Sequence, residues 1–215
     1  MNLFDQDGRL DSDVEDALSE LGNVGVGMAS ITIGRILGVR VELEAPSVIP
    51  AGEAGEQSLL SSLGQESIGI WMKFAEPLSG SVLCVLKRGF VYDVVEKMTG
   101  QRLEGEALYA DELAFSALAE FANMLSAAYM NAVGKYTGMR IFVTPYRLSD
   151  GNEWAGIGST GAVPAKDAVS ADRAIWVETR FQLLEEDGAR TRDVGRVIMM
   201  PDGDAVEMLM EALGL

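Results

Sequence analysis

Residues 12 to 37, SDVEDALSELGNVGVGMASITIGRIL, place apolar side chains at Val14, Leu18, Leu21, Met28 and Ile31. This is the i, i+3, i+4, i+7 spacing of an amphipathic helix. Ser12 or Asp13 is positioned to cap it and Gly38 to end it. The same text returns at an offset of about 100 residues. Residues 110 to 136, ADELAFSALAEFANMLSAAYMNAVGKY, carry Leu113, Leu118, Phe121, Leu125 and Tyr129 in the helical pattern, and Gly138 follows as Gly38 does. Each long helix then runs into a β-rich stretch, VRVELE at 39–44 and MRIFVTP at 139–145.

The parallel continues downstream. ESIGIWMKFAE turns at Pro77 into SGSVLCVLKR, and AIWVETRFQLL turns at Asp187-Gly188 into TRDVGRVIMM, each an alternating pair in hairpin relation. A short amphipathic helix closes each half, with Phe90, Val94, Val95 and Met98 inward in one and Val206, Leu209, Met210 and Leu213 in the other. The pattern predicts an α/β (α+β) protein made as one domain, 1–215, from two repeats, 12–99 and 110–215, joined by a connector at 100–109. Each repeat reads long helix, strand, irregular connection, strand, strand, short helix. Two such units predict one mainly antiparallel six-stranded sheet with a pseudo-twofold axis and the two long helices on one face. The Gly-, Ser- and Ala-rich stretches 48–65 and 147–170 read as the longest loops, and the polar start MNLFDQDGR reads as frayed.

Residues 20 to 28, ELGNVGVGM, hold three glycines and so invite a phosphate-loop reading. No strand precedes them, no Lys-Ser/Thr follows, and they sit inside a helical pattern, which removes that reading. Each of Gly22, Gly25, Gly27 and Gly34 costs a helix interior roughly 0.5–1 kcal/mol relative to alanine. The compensating reason is close packing of a neighbouring backbone or room for a partner protein. The second reading suits Gly27 and its counterpart Ala127 best.

Composition narrows the chemistry. A hydrophobic content of 48% with 23% charged residues is that of a globular chain. A net charge of -16, from 33 acidic against 17 basic residues, disfavours nucleic acid or an anionic membrane surface as partner. With no histidine and one cysteine, Ser-His and Cys-His nucleophiles, His-ligated zinc and an intrachain disulfide are excluded. Cys84, inside GSVLCVLK, reads as a buried thiol. The absence of a secretory signal pattern and of a membrane-length apolar run gives a cytoplasmic expectation. The acidic cluster Asp11, Asp13, Glu15 and Asp16 raises a metal site as an alternative. Acidic residues are favoured at a helix start by the dipole alone, which weakens that reading.

One polar set recurs in register: Asp16, Glu20 and Asn23 in the first long helix, Ser116, Glu120 and Asn123 in the second. At about 100° per residue each trio occupies an arc of about 60° bordering the apolar face. Asparagine is a mediocre helix former, yet it stands at the same place in both copies. The pattern Asp16…Glu20…Asn23 followed after 22 residues by Pro46, and Ser116…Glu120…Asn123 followed after 21 by Pro145, resembles the active-site signature of the CheC/CheX/FliY family of chemotaxis phosphatases. The similarity covers nearly the whole chain. Two motifs on a chain of this length resemble the CheC type within that family, while Met28 departs from the polar residue the resemblance implies.

The resemblance implies hydrolysis of the aspartyl phosphate of a CheY-type response regulator. Asn23 and Asn123 would orient the attacking water, Glu20 and Glu120 would dock the regulator, and Asp16 and Ser116 would support them. Pro46 and Pro145 would be structural, ending the first strand of each half. It implies no cofactor or metal in this chain, the Mg²⁺ being held by the phosphorylated partner, and CheD as a second partner. Two fused halves fit a monomer. A non-catalytic adaptor that binds CheD or flagellar-switch components is the alternative reading of the same stripe.

Overall fold

The computed structural model describes residues 3–4, 9–51, 66–144, 147–150, 174–184 and 191–215. In chain order the elements are α1 (Ser12–Leu37), β1 (Val41–Leu43), β2 (Ser47–Ala51), β3 (Ser67–Ala75), β4 (Gly80–Lys87), α2 (Arg88–Thr99), α3 (Glu106–Ala110), α4 (Glu112–Thr137), β5 (Phe142–Val143), β6 (Arg147–Asp150), β7 (Ala174–Leu184), β8 (Thr191–Pro201) and α5 (Gly203–Leu213). The predicted turn at Asp187-Gly188 and the residue Pro145 lie outside the described residues.

Both long helices run where their apolar spacing puts them, and Gly38 and Gly138 end them in the left-handed conformation, each at φ 72°. The cap of α1 is not Ser12 or Asp13 but the residue before them. Asp11 caps α1, its Oδ1 accepting the N–H of Asp13 at 3.0 Å, and Asp111 caps α4 by accepting from Ala114 at 2.8 Å. The chain start is tied down where described: Asp11 N–H donates to the Leu3 carbonyl at 3.0 Å, and Leu3 is buried in the core.

All strand pairs are antiparallel, in the order β1-β7-β8-β4-β3-β5, with β2 also on β7 and β6 also on β3. The centre of the sheet is β4 against β8, Val82 facing Met199 and Cys84 facing Val197. The first strands lie at opposite edges, β1 and β2 against β7, β5 and β6 against β3. Among the described residues eight segments thus fill six positions, because each edge strand is broken in two. Sequence patterning misses β2 and β6 and assigns most of them to the long loops. An edge strand packs one side against a neighbour and needs no strong alternation to do so.

Alternate residues of the sheet share one core with the helices: Ile68, Ile70, Val82, Cys84, Val177 and Val197 from the strands, Phe90 and Val94 from α2, Val206 and Leu209 from α5. Leu118, Phe121, Leu125 and Tyr129 of α4 are buried there as predicted. Met28, Ile31 and Leu113 are not; they are 47%, 45% and 58% exposed. In α1 the buried line passes instead through Leu21, Gly25, Ala29 and Ile33. Small residues that pack closely carry no hydrophobic signal strong enough to outvote Met and Ile. By length and composition α4 is also apolar enough to cross a membrane, contrary to the expectation above, yet 56% of its most apolar window is buried within the protein, and its apolar side is spent on the core.

Candidate functional site

α1 and α4 pack on each other and present both polar stripes. Asp16, Glu20 and Asn23 are exposed on α1; Ser116 and Glu120 are exposed on α4, with Asn123 half-buried. Within each helix the glutamate and asparagine stand one turn apart on one stripe. Among the described residues none of the six side chains is engaged in a hydrogen bond or ion pair. Polar side chains that a fold uses for its own stability are normally paired. Five of these six face solvent, and Asn123 is half-buried.

The glycines of α1 divide into two kinds. A β-carbon at Gly25 would lie 2.7 Å from ring carbons of Tyr129, and one at Gly34 would lie 3.0 Å from the Val39 carbonyl. The same junction recurs in α4, where a β-carbon at Gly134 would lie 2.6 Å from the Met139 carbonyl. At Gly22 the obstacles are Val177 Cγ1 at 2.8 Å and Pro46 Cβ at 2.9 Å. These glycines answer to packing. Gly27 is different, since a β-carbon there would meet nothing within 4 Å. It lies on the same stripe as Glu20 and Asn23, seven and four residues on.

Pro46 stands in the break between β1, which ends at Leu43, and β2, which begins at Ser47. Leu43 faces Phe181 and Ser47 faces Glu178, so Glu44, Ala45 and Pro46 stand opposite only Thr179 and Arg180. This extra residue is a bulge, a place where a proline costs the sheet no ladder hydrogen bond. Pro46 there packs on Gly22, the residue beside Asn23.

The stripes hold apolar residues that sequence patterning assigns to the core. Ile31 lies eleven residues after Glu20 and Leu113 seven before Glu120, each about 20° from its glutamate around the helix. Ile31 and Leu113 thus stand exposed in line with the polar groups of their stripes. The acidic cluster at the start of α1 offers no metal cage: Asp11 is occupied as a cap, and among the described residues no three His, Cys, Asp or Glu side chains converge.

No family model matches the chain. It is 23% identical over 207 residues to the CheY-P phosphatase CheC of Bacillus subtilis, with 93% of each chain covered. It is also 23% identical over 135 residues to the flagellar motor switch phosphatase FliY of the same organism, covering 62% of this chain and 34% of that one. Among solved structures, Thermotoga maritima FliY superposes with a TM-score of 0.66 at 19% identity, over 95% of this chain and 98% of that one. The FliM middle domain of Vibrio alginolyticus does so with a TM-score of 0.57 at 16% identity, over 91% and 99%. The mixed α/β architecture, an antiparallel sheet backing helices, is therefore that of the CheC and FliY structural class. In sequence the chain is similar to CheC and FliY of the CheC/CheX/FliY family of chemotaxis proteins.

Proposed function

We propose that the chain hydrolyses the aspartyl phosphate of a CheY-type response regulator at two places, Glu20 with Asn23 on α1 and Glu120 with Asn123 on α4. One observation carries the reading: both Glu/Asn pairs, exposed except for the half-buried Asn123, are unengaged by any described residue, in a chain similar over 93% of its length to a CheY-P phosphatase.

The bond to be broken is the P–O bond of a mixed anhydride, already labile. Water attacks phosphorus, the aspartate carboxylate leaves, and inorganic phosphate is released. The contribution left for this chain is position. An asparagine amide offers a donor and an acceptor and can hold a water in line with phosphorus, as the water-positioning glutamine does in GTPases. Asn23 and Asn123 take that role. Glu20 and Glu120, one turn earlier, dock against a lysine beside the phosphorylated aspartate, while Asp16 and Ser116 orient their neighbours. The Mg²⁺ belongs to the phosphorylated partner, and together with that lysine it offsets the repulsion between two acidic proteins. On this reading the two halves, 12–99 and 110–215, are copies of one unit, and each brings one site. The capping Asp11 and Asp111 and the Gly34 and Gly134 junctions, each at an offset of 100, support that.

The test is phosphate release from a CheY-type regulator labelled by a small phosphodonor, with wild type, Asn23→Ala, Asn123→Ala and the double variant. Acceleration by wild type that the folded double variant lacks supports the paired-site reading, and the single variants rank the sites. A wild type without effect, yet binding the regulator, overturns catalysis and leaves the stripes as docking surfaces of an adaptor.

A further inference from the structure

The face of the sheet turned away from α1 and α4 has a chemistry of its own. Ser67, Val85, Lys87, Arg180, Asp193, Gly195 and Arg196 surround a shallow, solvent-open cleft with a cavity volume of about 20 Å³. Val85 faces Arg196 across β4 and β8, and Arg196 faces Arg180 across β8 and β7. Two arginines directly opposite each other on one face repel, which a sheet normally avoids. Here a single oxygen, Glu178 Oε1, accepts from both, from Arg180 Nε at 2.9 Å and Arg196 Nη1 at 3.1 Å. Lys87 adds a third cation and makes no ion pair with another described residue. It is also the N-cap of α2, whose first turn contains no acidic residue, so the positive end of that helix adds to the field.

Against these stand Glu178, already shared, and Asp193, whose Oδ1 accepts the Gly195 N–H at 3.1 Å. The cleft lining itself thus holds three cations, Lys87, Arg180 and Arg196, against the one carboxylate of Asp193, with Glu178 and Glu44 beyond it acting on Arg180, in a chain whose total charge is -16. Gly195, at φ 151°, lets β8 approach β4 closely at the cleft: a β-carbon there would collide with the Val85 carbonyl and lie 3.1 Å from Leu86 Cα. Guanidinium forks beside an ammonium and a hydroxyl form a donor set suited to tetrahedral oxyanions.

We propose that this cleft binds a phosphate-type oxyanion, with Lys87 and Arg180 as its principal donors and Arg196, held by Glu178, as its fixed wall. The site is separate from the helix stripes and does not depend on their being catalytic.

The experiment is calorimetric titration of the full chain with inorganic phosphate and with methyl phosphate, at constant ionic strength held by sodium chloride. Saturable binding of either is expected, weakened about tenfold or more by Lys87→Gln and by Arg180→Gln, and unchanged by Lys97→Gln, which lies outside the cleft. Tighter binding of methyl phosphate assigns a phosphomonoester as the natural ligand; tighter binding of inorganic phosphate assigns the free ion. The proposal is overturned if neither binds beyond the chloride baseline, or if binding is indifferent to Lys87→Gln.

Discussion

Pro46 lies directly over Gly22, so that a β-carbon at residue 22 would sit 2.9 Å from the proline's Cβ and 2.8 Å from Val177 Cγ1. The distance from Asn23 to Pro46 in the motif thus has a physical meaning. The chain must travel down α1, turn at Gly38 and return along the sheet edge before its bulge can seat a rigid ring beside the asparagine.

Gly22 and Gly27 should therefore respond to alanine in opposite ways. Alanine gains up to about 1 kcal/mol of helix propensity at either position. At Gly22 the crowding of Pro46 and Val177 outweighs that gain, with an expected net loss of about 1–2 kcal/mol. At Gly27 nothing lies within 4 Å, and the variant should be more stable by about 0.5–1 kcal/mol. Urea denaturation of the two variants checks both signs. If Gly27 is kept bare for a docked regulator, the more stable variant will also dephosphorylate it more slowly.

Glu178 holds together the polar end of the sheet. Its side chain is 6% exposed and is shared between Arg196, 10% exposed, and Arg180, 52% exposed. The exposed pair is worth little because water screens it. Removing the carboxylate leaves the Arg196 guanidinium buried beside a like charge, so Glu178→Ala should lose about 3–5 kcal/mol. Arg180→Gln, which leaves the buried pair intact, should lose less than about 1 kcal/mol. Equal losses in thermal denaturation would refute this division.

The long helices, hairpin strands and short helices are legible in the sequence because each repeats an apolar period over many residues, and Gly38 and Gly138 mark both helix ends. The Glu/Asn stripes are legible because they recur in register. Three things are not. The edge strands β2 and β6 carry weak alternation, and their pairing with β7 and β3 is decided by partners more than 70 residues away in sequence. The exposure of Ile31 and Leu113 depends on which face α1 and α4 give each other, and periodicity alone favours placing large apolar groups inward. The cationic cleft draws on β3, β4, β7 and β8, and no local motif announces it.

Cys84 and Tyr129 give the protein an alkaline limit. Burial pushes the Cys84 thiol up to about 11, against a smaller lowering by its contact with the Ser126 hydroxyl at 3.6 Å. Burial likewise raises the Tyr129 hydroxyl, with the neighbouring Cys84 adding to the effect. A group that holds its proton more tightly when folded contributes stability in full below its unfolded pKa and loses it as pH rises through the folded one. For Cys84 the window runs from about 9 to about 11, with about 2–3 kcal/mol at stake. Cys84→Ala should flatten the stability profile in that range, at the cost of a small cavity. Tyr129→Phe removes a buried hydroxyl that has no partner among the described residues. It should leave stability at pH 7 unchanged or raised by about 1 kcal/mol and should remove the part of the alkaline loss above about pH 10. Denaturation at pH 7, 9 and 10.5 separates the two contributions.

Ile31 and Asn23 share a stripe but should fail in different ways. Ile31 is 45% exposed, so Ile31→Asn should change stability by less than about 0.5 kcal/mol. Its apolar surface can do useful work only when a partner covers it, and losing that coverage costs about 1–2 kcal/mol of association. The regulator concentration giving half the maximal rate should then rise about tenfold, with the maximal rate kept in a form where Asn123→Ala silences the other site. Asn23→Ala in the same background should do the reverse, lowering the maximal rate with little change in half-saturation, because an amide that orients water acts in the transition state more than in the encounter. Leu113→Asn offers the matching test on α4, scored with the α1 site silenced by Asn23→Ala. If both kinds of substitution moved the same parameter, the stripe would be one undivided binding surface, and the separation of anchor from water-positioning residue would be wrong.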